Sequence, residues 1–157
     1  MLNKIIIIIL VLLIAAGGYW AFFHQTTPKR KTAQGELFTA KVYKSADCSC
    51  CLGHVGYLKG EGFTVETVIQ QNLDSIKAKH KIPYNLQSCH TTEIANYFVE
   101  GHVPIEAINK LLAEKPDIDG ITLPDMPAGS PGMPGLKREE FIIYSLKDGQ
   151  AKEFMRL

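Results

Sequence analysis

Three of the four cysteines in this 157-residue chain fall in one tetrapeptide, Cys48-Ser49-Cys50-Cys51, and the fourth precedes a histidine in Ser88-Cys89-His90-Thr91. A fold that joins these two segments assembles three or four sulfurs and an imidazole at one place. Such a soft donor set suits Cu(I), zinc or thiol redox chemistry, and suits calcium, magnesium or phosphate poorly. Cys48 and Cys51 have C-x-x-C spacing. At the start of a helix, unpaired backbone N–H groups favour negative charge and lower a thiol pKa, which makes thiolate accessible near neutral pH. Cys48, on the loop side, is then the most reactive. Cys50 is the unusual member. A dithiol oxidoreductase needs two cysteines, and a Cys50–Cys51 bridge is a strained adjacent pair. Three thiolates within four residues therefore point to metal, and bridging sulfur permits a cluster of several Cu(I) ions.

Other chemistries stay open on these residues. Cys48 and Cys51 alone could serve a thiol-disulfide oxidoreductase. Four cysteines also allow two structural disulfides in an exported domain. A structural zinc site of four cysteines, or of three cysteines and a histidine, is chemically sound, although its usual signature is two separated C-x-x-C pairs. His90 adjoins Cys89, and neighbours on a strand point to opposite faces. His90 thus reaches the site only through irregular backbone or from behind a ligand. His54, four residues after Cys50 on that helix, could face the site, but reads first as a surface helix histidine. His102 divides between a turn role and a site role. His24 and His80 read as exposed polar residues. Met126 and Met133, in a Gly/Pro-rich loop, offer thioether donors that suit Cu(I).

The surrounding pattern alternates strands and helices. Leu37 to Lys44 reads as a strand, Cys51 to Lys59 as a short amphipathic helix ended by Gly60 and Gly62, and Phe63 to Ile69 as a second strand. Asn72 or Asp74 can cap a helix through His80, which Pro83 stops. His90–Glu93 and Tyr97–Glu100 form a hairpin around Ile94-Ala95-Asn96. Pro104 opens a helix to Lys115, and Ile121-Thr122-Leu123 reads as a short strand. Asp125 to Gly135 is the Gly/Pro loop. Phe141–Ser145 and Ala151–Phe154 form a last hairpin. This order predicts an α/β fold of the thioredoxin-like sandwich type with an added C-terminal β-hairpin.

An N-terminal apolar helix is expected to precede that domain. Ile5 to Phe23 is nineteen residues without a charge. As a helix it spans about 28 Å, close to a hydrocarbon core of ~30 Å. Trp20, Phe22 and Phe23 resemble an interfacial belt, which favours a signal anchor; Ala15-Ala16-Gly17 would suit a cleaved signal peptide. Residues 1–25 are read as this anchor or peptide, 26–36 as a polar linker, and 37–157 as one domain. Export of the domain is expected, although Lys29-Arg30-Lys31 favour the cytoplasm by the positive-inside rule. From Thr32 onward thirteen basic residues face sixteen acidic ones, a net charge of −3. No basic stripe or aromatic ladder suggests nucleic acid.

The segments VYKSADCSCC, SCHT, VEGHVP and MPAGSPGM, in this order across Phe38 to Phe154, resemble the CopG-type copper-resistance proteins, a family catalogued as a domain of unknown function. The resemblance implies a thioredoxin-like fold, a periplasmic or membrane-tethered location, and copper binding in copper detoxification. It implies Cys48, Cys50, Cys51 and Cys89 as thiolate copper ligands with His90 at or beside them, and it covers His102, Met126 and Met133 without assigning them roles. It also implies a periplasmic copper chaperone or efflux component as partner. His54 departs from the pattern, since family members often carry an aromatic residue there.

Overall fold

The computed structural model describes Phe38 to Leu157 and, before them, Ile6, Leu13, Ile14 and Tyr19. The expected apolar segment and linker lie outside the described residues apart from those four. Among the described residues, no helix is long and apolar enough to cross a membrane.

Seven strands form one sheet: β1 (Thr39–Lys44), β2 (Thr64–Ile69), β3 (His90–Ile94), β4 (Tyr97–Glu100), β5 (Gly120–Thr122), β6 (Ile142–Lys147) and β7 (Gln150–Arg156). Their spatial order is β2-β1-β3-β4-β5-β6-β7. Helix α1 (Ser49–Gly60) connects the parallel pair β1–β2, and α3 (Ile105–Glu114) connects the parallel pair β4–β5. The remaining neighbours are antiparallel. Helix α2 (Asp74–Lys79) and a 3-10 turn (Tyr84–Leu86) link β2 to β3. The expected α/β order and C-terminal hairpin are both present.

Strand alternation decides the two faces. Ala40, Val42, Ile94, Val99, Ile121 and Ile143 join Val55 and Leu58 of α1 and Ala107, Ile108 and Leu111 of α3 in the main core. Each such fully buried Leu or Ile contributes about 1.5–3 kcal/mol. Phe98 and Leu146 point the other way, onto Ile82 just past α2. Helix α1 buries Cys51, His54, Val55 and Leu58, a stripe at helical spacing. Its first turn carries the cysteine cluster, and its C-terminus stops at Gly60 ahead of Gly62 (φ 90°).

Several sequence expectations are corrected. Helix α2 spans Asp74–Lys79 without a side-chain N-cap bond; Asn72 Oδ1 instead accepts the Asp74 N–H at 2.6 Å, just outside the helix. His80 is not an exposed polar residue: its Nε2 lies 2.9 Å from Glu93 and its ring 5.1 Å from that of Phe98. His54 is not on the surface. It fills the apolar stripe of α1 and is 0% exposed.

Candidate metal centre

The site forms where α1 starts, beside the entry to β3. Cys48 caps α1, and its Sγ accepts the Cys51 N–H at 3.3 Å. Cys48 and Cys51 are joined in a disulfide, while Cys50 and Cys89 keep free thiols. The alternative of two structural bridges is therefore not the arrangement present. Cys50 Sγ lies 3.4 Å from Cys48 Sγ, and Cys89 Sγ lies 3.6 Å from Cys51 Sγ. The two sequence segments meet as expected, with all four sulfurs within 4.8 Å of one another. Cys51 is buried and Cys48 half-buried, so Cys48 is the more accessible end of the pair.

Cys89 precedes the first residue of β3, where strand alternation does not yet apply. This is how it shares a site with its neighbour: His90 Nδ1 is 3.2 Å from Cys89 Sγ. His102 Nε2 approaches the same sulfur at 3.0 Å. Cys89, His90 and His102 thus form a second compact donor group, and Cys89 Sγ is common to both.

Acceptors behind the imidazoles fix their tautomers. The Pro131 carbonyl can only accept, so His102 Nδ1–H donates to it at 2.7 Å and Nε2 keeps a lone pair. The Val103 carbonyl faces His54 Nε2 at 3.4 Å, which leaves His54 Nδ1 bare. His90 Nε2–H then donates to His54 Nδ1 at 2.9 Å, and His90 Nδ1 keeps a lone pair. Two imidazole lone pairs therefore converge on one thiol, whose single S–H can satisfy only one of them. Burial holds His54 down at about 4, with nearby His102 adding to the effect. Burial also holds His90 well below the usual imidazole range and lowers His102. All three rings are neutral at pH 7, the form in which imidazole binds metal. Burial, and next to it Cys50, pushes the Cys89 thiol up to about 12. The low thiol pKa expected from a helix start does not extend to Cys89, which stands beside that terminus but on another segment, where burial dominates. Convergent soft sulfurs, neutral nitrogens and an unmatched lone pair fit a thiophilic metal.

The Gly/Pro loop closes against this site through backbone. A Cβ on Gly132 (φ 82°) would stand 2.4 Å from the His54 amide nitrogen, and one on Gly53 would stand 2.9 Å from Gly132. This contact brings the Pro131 carbonyl to His102. Met126 is 39% exposed, and Met133 is half-buried beside Gly132. The two donor groups consist of cysteine sulfurs and imidazoles.

Sequence reasoning ranked a site role for His54 second and passed over Lys44. His54 supports His90, and its place in the stripe Cys51-x-x-His54-Val55-x-x-Leu58 was the available signal. Lys44 continues the buried alternation of Ala40 and Val42 at the end of β1.

Residues 86–133 match the family model described as "Protein of unknown function, DUF411", a span that holds Cys89, His90, His102 and both loop methionines. No curated protein matches the chain. Two solved structures of a copper resistance protein, copG, are similar to it. Form 2 is 35% identical with a TM-score of 0.71, and covers 76% of this chain and 98% of that one. Form 1 is 36% identical with a TM-score of 0.70, and covers 76% and 96%. Identity at this level over most of both chains places the protein in a family: it belongs to the CopG-type copper-resistance family.

Proposed function

We propose that the chain binds Cu(I) through Cys48, Cys50, Cys51 and Cys89, with His90 and His102 as nitrogen donors, in copper resistance or homeostasis. The observation that carries this reading is the position of Cys89 Sγ in both donor groups. A sulfur shared by two adjacent sites suits several bridged Cu(I) ions better than one closed tetrahedral zinc. Met126 and Met133 are secondary donors in this reading. The β2-β1-β3-β4 core with α1 and α3 on one face supports a thioredoxin-like assignment. The fold would be tethered to the periplasmic side of a membrane by residues 1–25, or exported after their cleavage. Exchange partners would be a copper chaperone or efflux component.

The bonded Cys48–Cys51 pair favours a redox extension. Closing that bridge releases two electrons and two protons, which matches the reduction of two Cu(II) ions to Cu(I). The same bridge supports the second reading, a thiol-disulfide oxidoreductase that uses only Cys48 and Cys51.

The test is metal content of the full chain, purified in mild detergent under reducing anaerobic conditions and loaded with Cu(I). Copper, zinc and free thiols are counted per chain. Tightly held copper that is lost in Cys50→Ser and Cys89→Ser supports the copper reading. No retained copper, with disulfide reductase activity that survives both substitutions, supports the oxidoreductase instead.

A further inference from the structure

Two lysines are buried against strand β3, one on each face of the sheet. Lys77 of α2 is 5% exposed, and its ammonium meets the Glu100 carboxylate and the Ser88 carbonyl. Lys44, the last residue of β1, is 1% exposed. Its Nζ donates to the Ser45 carbonyl at 2.7 Å and reaches that of Ala46 at 3.5 Å; among the described residues it has no carboxylate partner. Burial of an ammonium is strongly unfavourable unless an opposite charge meets it. Carbonyl dipoles compensate only part of that cost. Lys77 has its counter-charge within the fold, and Lys44 has none among the described residues.

The surroundings of Lys44 indicate where the missing charge resides. Lys44 stands opposite His90 in the β1–β3 register. The Ser45 carbonyl that takes its ammonium also accepts the Cys48 N–H at 3.4 Å. The cation therefore lies in the short loop that sets down the first cysteine, on the sheet face where His90 meets His54.

We propose that Lys44 supplies the counter-charge of the filled thiolate site and biases that site toward monovalent metal. This rests on the reading of the cysteines as a Cu(I) site. A given set of thiolates is one charge more negative around a monovalent ion than around a divalent one. A fixed neighbouring cation stabilises the more negative assembly by more. Lys44 is thus a specificity-determining residue that acts through charge.

The experiment compares Lys44→Gln, which keeps N–H donors for the two carbonyls without the charge, with Lys44→Arg, which keeps both. Full-length proteins in mild detergent, reduced and anaerobic, are titrated with Cu(I), Ag(I) and Zn(II) against chromophoric chelators. Lys44→Gln is expected to weaken Cu(I) and Ag(I) binding by roughly tenfold to a hundredfold and Zn(II) by less, with Lys44→Arg nearer wild type. Melting temperature is the second measurement. Without metal, loss of an uncompensated buried charge leaves Lys44→Gln as stable as wild type or more so, while its gain on Cu(I) loading shrinks. A merely structural role lowers both. Equal Cu(I) binding by Lys44→Gln and wild type overturns the role of Lys44 and leaves the copper reading standing. So does an equal loss of Cu(I) and Zn(II), or metal-free Lys44→Gln that fails to fold. Wild type that holds Zn(II) but no Cu(I) overturns both.

Discussion

His90 Nε2 lies 2.9 Å from His54 Nδ1, and this contact decides which nitrogen of His90 faces Cys89. His54 can accept because its other nitrogen faces the Val103 carbonyl. Partners of this kind, behind a metal-binding imidazole, typically change affinity by about 10–100-fold when removed. His54→Phe fills a similar volume and removes the acceptor. The expected result is about tenfold weaker Cu(I) binding with thiol content unchanged, measured by chelator competition. Undiminished affinity in a folded His54→Phe protein would show that packing alone orients His90.

The loop that holds His102 is seated by glycine contacts. Gly132→Ala places a methyl 2.4 Å from the His54 nitrogen at a φ of 82°, so the backbone must move. Movement there withdraws the Pro131 carbonyl from His102 Nδ1, now 2.7 Å away. A stability loss of about 1–3 kcal/mol is expected from strain and the lost bond together. Urea unfolding reads the stability loss, and Cu(I) retention should fall with it. Gly53→Ala meets the same loop from α1 and should act in the same direction.

The α/β order was legible because each element carries its own period and punctuation. Pro104 before α3, Gly60 at the end of α1 with Gly62 just beyond it, and Ala95-Asn96 between β3 and β4 all stand at turns or ends. The meeting of the two cysteine segments was legible for a simpler reason: two short soft-donor clusters in one small domain have few other uses. The histidines were harder to read. Whether His90 and Cys89 share a site depends on where β3 begins, and one residue decides that. His54 looked exposed because histidine is polar, yet its partner is another buried imidazole that spacing cannot reveal. The bond between Cys48 and Cys51 depends on redox state, which no spacing encodes. Lys44 and Lys77 follow core-facing positions, but only packing shows that one has a carboxylate and the other has carbonyls.

The Cys48–Cys51 bridge should control metal capacity. With it closed, Cys50 and Cys89 are the free thiols, and the donor group of Cys89, His90 and His102 stays intact. A thiol reductant opens the bridge by exchange and frees two more sulfurs. Thiol titration of the unfolded chain is expected to give two groups before reduction and four after. Copper per chain should rise in parallel. Equal copper in the two states would mean that Cys48 and Cys51 are not ligands.

Glu93 gives a pH test away from the cysteines. Burial raises its pKa, but hydrogen bonds from Lys79, Tyr43 and His80 outweigh that effect and hold the carboxyl at about 2. A folded pKa below the unfolded value of 4.5 gives stability that is complete above pH 4.5 and lost as pH falls through about 2. The shift corresponds to roughly 3 kcal/mol at most, and less with the screening of a partly exposed side chain. Glu93→Gln should therefore be about 1–3 kcal/mol less stable at pH 7 and nearly equal to wild type near pH 2. Urea unfolding at both pH values checks this, and an unchanged difference between them would rule out the charge as its source.

Glu100 links the opposite face of the sheet to the site. It is fully buried, pairs with Lys77, and accepts the Ser88 N–H at 2.6 Å and the Thr91 hydroxyl at 2.6 Å. Those two residues bracket Cys89 and His90. Lys77→Met leaves a buried carboxylate without its cation, for which a loss of about 3–5 kcal/mol is expected. Addition of Glu100→Leu removes the orphaned charge, so the double variant should regain much of that stability. It does not regain an acceptor for Ser88 and Thr91. Cu(I) affinity should therefore stay low in the double variant while the urea midpoint recovers. Recovery of both together would show that the pair serves stability alone and that the Cys89-His90 segment holds its position without it.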